Sequence, residues 1–126
     1  MSQPSTDRPI TIRLRIFSGR PDPEWSPEPS GIQELARRIQ AAREGAPVHA
    51  PPEGDLGYRG FEVRGGRVLG LPDQLAVFRG VVSDRSDKAG THWIDSAGVE
   101  GFLLDEARRR GFGQLLDAGG APQSLR

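Results

Sequence analysis

The chain has 126 residues, no cysteine, and 17 acidic residues against 17 lysines and arginines. That length supports one domain with one modest core. Without cysteine there are no disulfides, thiol nucleophiles or thiolate metal sites, and the balanced charge gives no overall electrostatic case for nucleic acid or an anionic membrane.

Residues 1–8 are rich in Ser, Pro and Gln and are expected to form a disordered tail. They lack the apolar core of a signal peptide. No apolar run approaches the length of a membrane span, so a cytoplasmic protein is expected. A strand follows over 9–17, with Ile10, Ile12, Leu14 and Ile16 on one face and Thr11, Arg13 and Arg15 on the other. Gly19 then permits a positive φ, while Pro21 and Pro23 fix two angles and end the ladder. This turn has two readings. In one it is a rigid recognition loop whose Arg20 grips a carboxylate in a bidentate fork. In the other it is a corner whose Arg20 pairs with Asp22 or with backbone carbonyls and whose Trp25 caps the core.

Ser30 is placed as an N-cap with Gln33 at the capping-box position, which predicts a helix to about Arg43. Ile32, Leu35, Ala36 and Ile39 form its apolar stripe, and Gly45 is its stop. Residues 46–57 make a proline-rich loop carrying His49, a candidate flap over a groove. Residues 58–64 and 67–71 read as two strands of a hairpin closed by Gly65-Gly66. Residues 74–83 read as one strand, apolar on both faces and so central or facing a partner, with Gly80 marking a bulge or a close backbone approach. Asp84 and Asp87 in the next turn lack the ligand spacing of a calcium loop. Asp95 or Ser96 caps the last helix. There Val99, Phe102, Leu103 and Ala107 face inward, Leu104 lies at their edge, Glu106 lies outside, and Gly111 ends the helix. Residues 117–126 read as a loose tail.

The element order is therefore β-α-β-β-β-α. It predicts an α+β domain over 9–116, a small antiparallel sheet of about four strands with two helices packed on one face.

Residues able to do chemistry are few. His92, Asp95 and Ser96 are neighbours along the chain, whereas a triad needs members converging from different elements. The two histidines with Asp84 or Asp87 make a poor metal set, and no phosphate-loop or dinucleotide fingerprint occurs. No catalytic residue, metal or cofactor is assigned. Arginine supplies all the basic residues except Lys88, and its planar fork suits carboxylates, coding bias being the plain alternative. The candidate binding residues are Arg13, Arg15 and Arg20 for an acidic side chain or terminus, Trp25 and Trp93 as apolar anchors, and His92. An open sheet edge would recruit an extended peptide, a partner protein or a second copy, giving a homodimer.

The string Ile16-Phe17-Ser18-Gly19-Arg20-Pro21-Asp22-Pro23-Glu24-Trp25 resembles an S-G-R-P-[ND]-P-x-W signature found in small uncharacterised bacterial and fungal proteins. Leu56-Gly57-Tyr58-Arg59-Gly60-Phe61 is similar to the same group. Asp22 stands where the commoner pattern has Asn. The resemblance covers these two islands and loosely the helix between them. It implies an accessory role beside natural-product clusters that make modified ribosomal peptides, of the crocagin kind, and carries over no catalytic residue. The expectation is a non-catalytic protein that recognises a peptide. The alternatives are a small cyclase or hydrolase acting on a peptide through His92 or a carboxylate pair, and a structural subunit or dimer.

Overall fold

Alternation of apolar and polar residues gives the first strand its place. β1 (Thr11–Leu14) buries Ile12 and Leu14 and turns Thr11 and Arg13 outward. The computed structural model describes residues 10–16, 21–52, 57–86 and 90–122. In it β1 pairs with β2 (Glu24–Trp25) on one side and β4 (Phe61–Arg64) on the other. β5 (Gln74–Phe78), β6 (Val81–Asp84), β7 (His92–Ile94) and β3 (Pro47–Val48) extend the sheet. All seven strands are antiparallel, in the order β2-β1-β4-β5-β6-β7-β3. The sheet is open, since β2 and β3 each have one neighbour.

The helices are α1 (Pro29–Arg43), α2 (Val99–Ala107) and α3 (Gly113–Ala118). They pack on one face of the sheet. Leu35, Ile39 and Ala42 of α1, with Val99, Leu103, Leu104, Ala107 and Leu116, meet Ile12, Leu14, Phe61, Val63, Leu75, Val77 and Val82. Buried apolar area of this kind is the main favourable term in folding. The fold is α+β, as expected, with the core between one sheet face and the helices.

Among the described residues the sheet has seven strands rather than about four, for local reasons. β2 and β3 are two residues long, too short to show a period-two pattern. The hairpin expected at Gly65-Gly66 does not form: residues 66–69 wind into a 3₁₀ turn, and Val68 is left 62 % exposed. β4 pairs instead with β5. The stretch 74–83 is not one strand but a hairpin, because Arg79 (φ 50) and Gly80 (φ 76) both take positive φ and reverse the chain. α1 starts at Pro29 with Glu28 in the cap position, so Ser30 is not the N-cap. Gly98 holds the N-cap position of α2, and Asp95, three residues earlier, accepts from its first-turn Val99 N (2.7 Å) and Glu100 N (2.8 Å). Gly111 takes φ 97 but only kinks the chain at residues 108–112 before α3 resumes. Phe112 and Leu115 pack on the core there, and Leu116 is fully buried within it. The stretch after 116 is not loose as far as it is described: Gly119 O accepts Tyr58 N at 2.9 Å, and Ala121 is buried. Residues 1–8, and Gly19 and Arg20 of the turn, lie outside the described residues.

Candidate functional site

The described helices all pack on one side, so among the described residues no helix covers the other sheet face. Antiparallel register carries one row of side chains across that face: Glu24, Arg13, Glu62, Ala76, Ser83, His92 and Val48 are successive cross-strand partners. At one end of the row Arg13 is engaged by Asp22 (3.3 Å) and Glu62 (3.8 Å). Towards the other, His92 Nδ1 meets Ser83 Oγ at 2.8 Å.

Beside this row lies a cavity of about 120 Å³, lined by Arg15, Arg59, Arg85, Ser83, Ala76, Phe78 and Val81, with Pro51 and Pro52. That is the space of about four water molecules, enough for one carboxylate or phosphate group. The backbone brings two of its arginines together: Arg15 N donates to Gly60 O (2.9 Å) and Arg59 N to Arg15 O (2.7 Å). Among the described residues no acidic side chain lines the cavity. Six arginines elsewhere are ion-paired: Arg37 and Arg38 with Glu34, Arg64 with Glu62, Arg108 with Asp117, Arg109 and Arg110 with Glu106; Arg43 and Arg79 lie over the Trp93 and Phe78 rings instead. Arg15 and Arg85 have no ion pair among the described residues. The proline-rich loop does reach this groove, through Pro51 and Pro52, while residues 53–56 lie outside the described residues.

Of the residues singled out by sequence, Arg13, Arg15 and His92 share the open face, and only Arg15 lines the cavity. Trp25 and Trp93 belong to the helix-covered face, opposite Ile12 and Val82. Trp25 is 9 % exposed and is a core residue, not a surface anchor. Its ring packs on Phe112 (5.7 Å) and Phe61 (6.4 Å), and Nε1 donates to Glu106 Oε1 at 3.2 Å. Trp93 carries the Arg43 guanidinium over its ring at 5.5 Å. Arg20 lies outside the described residues. Sequence reasoning missed Arg59, Arg85 and Ser83. Arg59 sits in one of the two motif islands, which was a usable signal; Arg85 follows a hairpin that the pattern concealed.

A second, larger cleft of about 940 Å³ lies beyond Phe78, which lines both. Its walls include Tyr58, Arg79, Gly80, Asp95, Ser96 and Glu100. Glu100 is 2 % exposed. Its Oε2 accepts the Tyr58 hydroxyl at 2.5 Å and its Oε1 accepts Gly80 N at 2.9 Å. Burial holds the Tyr58 phenol well above the usual tyrosine range, aided by the charge of Glu100, its hydrogen bond and the charge of Asp95. Glu106 was expected on the surface and is also buried, at 6 % exposure, because Trp25 and Arg109 meet its carboxylate.

Among the described residues no three His, Asp or Glu side chains are grouped to hold a metal ion, and no helix is long and apolar enough to cross a membrane. The chain matches no protein-family model, no curated protein and no solved structure.

Proposed function

We propose that this is a non-catalytic binding protein that recognises an extended peptide by an anionic group, an acidic side chain or a terminal carboxylate. The observation that carries this reading is the cavity lined by Arg15, Arg59 and Arg85, of which Arg15 and Arg85 make no ion pair among the described residues. Guanidinium groups fit carboxylates through paired N–H donors, and the confined, partly apolar setting of Ala76, Phe78 and Val81 strengthens such contacts. The sheet edges support the reading less. β2 and β3 offer two residues each, and β3 includes Pro47, so backbone pairing with a peptide or a second copy has little to hold. Side chains of the open face therefore take the main part. The resemblance of the 16–25 and 56–61 islands adds the setting: an accessory protein of modified ribosomal peptide biosynthesis.

A hydrolase acting on a peptide is the second reading, favoured by the contact of His92 with Ser83, which lines the same cavity. Ser83 is 3 % exposed, which restricts attack on any substrate larger than the cavity admits. Native mass spectrometry with peptides encoded near the gene separates the two. An adduct with one intact peptide supports binding. A changed peptide mass that disappears in Ser83→Ala replaces it with catalysis, and neither result removes both.

A further inference from the structure

We propose that the cleft beside Tyr58 takes a cationic group, a guanidinium or an ammonium, of the same ligand whose anionic group enters the arginine cavity. This rests on the reading above for the identity of that ligand. Two buried glutamates make the contrast. Glu106 is met by Arg109 (2.9 Å), Arg110 (3.5 Å) and the Trp25 indole (3.2 Å). Among the described residues Glu100 is met by neutral donors alone, the Tyr58 hydroxyl and Gly80 N–H. Each carboxylate oxygen can accept twice, so Glu100 retains acceptor capacity. A buried carboxylate without a cation is costly, and one supplied from the cleft would offset that cost.

The rest of the cleft agrees. Asp95 adds a second negative charge at its wall, its oxygens held by the first turn of α2. Burial first, and then the charges of Glu100 and Asp95, push the Tyr58 phenol upward. Tyr58 and Phe78 stand edge to face at 5.8 Å and supply aromatic walls. The Phe78 ring already carries the Arg79 guanidinium at 5.2 Å, so its face suits a planar cation. Arg79 makes no ion pair with Glu100 or Asp95 among the described residues; it is a rival for the site, not its occupant. Arg38 is turned to the Ala97 and Gly98 carbonyls. Because Phe78 lines both cavities, neighbouring residues of one extended chain reach both, and the ligand class becomes a peptide with an acidic and a basic group close together.

The test is an NMR titration with two separate probes, agmatine for the cleft and glutarate for the arginine cavity. Agmatine should shift the Gly80, Gly98 and Gly101 amides saturably. Arg79→Asn, which keeps a residue tolerant of positive φ in the turn, should tighten agmatine about two- to fivefold, the effect of removing one partly exposed like charge. Glu100→Gln should abolish the shifts. Absence of saturable shifts, or weaker agmatine binding in Arg79→Asn, overturns the inference without reference to Glu100→Gln. Glutarate should shift the Arg15 and Arg85 amides. If glutarate fails while agmatine binds, the arginine-cavity reading falls and the cation cleft stands.

Discussion

Tyr58→Phe removes one hydroxyl and nothing else, so it isolates the buried carboxyl–phenol contact. Glu100 has two donors in the described structure, at 2.5 Å and 2.9 Å, and the substitution deletes the shorter. A hydrogen bond to a charged group contributes about 1.5–3 kcal/mol, and the oxygen left behind stays buried. The ring itself keeps its packing on Phe61 and Phe78. We expect a loss of about 2 kcal/mol, read as a lower urea midpoint with an unchanged slope. The chain has one tyrosine, so tyrosinate absorbance reports this phenol alone. The folded pKa lies above the unfolded one. The contact therefore stabilises fully below the usual tyrosine pKa of about 10 and is lost as pH rises beyond it. The native protein should show no tyrosinate until it unfolds. A loss below about 0.5 kcal/mol, the range of ordinary surface substitutions, or reversible ionisation near pH 10 in the folded state, would refute the argument.

Three further outcomes follow from the packing. Gly60→Ala should prevent folding, because Gly60 has φ 86 and an added Cβ would lie 2.0 Å from Val77 O; circular dichroism checks it. Trp25→Phe should cost about 1–2 kcal/mol by leaving Glu106 one donor short, yet leave glutarate binding unchanged, since Trp25 lies on the opposite sheet face. Glu34 is held down to about 2 by hydrogen bonds from Arg37 and Arg38. Its contribution is present above the usual carboxylate range and is lost as pH falls towards 2, so a carbon-detected NMR titration should place its midpoint there.

The α+β class, the first strand and both main helices were legible because each repeats its period over enough residues. Ile12 and Leu14, Leu35 and Ile39, and Val99 and Leu103 sit where periodicity puts them. The middle of the sheet was not legible. Gly65-Gly66 carries the stronger hairpin signal, yet Arg79-Gly80 forms the turn, because Leu75, Val77 and Val82 can all be buried only if the chain reverses there. The two-residue edge strands are set by tertiary pairing and have no local signature. Of the candidate site, alternation put Arg13 and Arg15 on the polar face of the first strand, whereas His92 reaches the open face through its pairing with Ser83, in a strand the sequence did not show. Arg59 and Arg85 reach Arg15 only through strand order, which a single sequence does not encode locally. Trp25 carried a motif signal, but that signal reflects core packing and the bond to Glu106.

The most direct measurement is a binding titration with two extended peptides that differ only by one glutamate against glutamine, run on the native protein and on the Arg15→Ala/Arg85→Ala double variant. The account predicts that the native protein prefers the glutamate peptide by about tenfold or more, as for a charge-assisted pair in a confined site, and that the double variant loses the preference. Equal affinity for both peptides, or a preference that survives in the double variant, would contradict it.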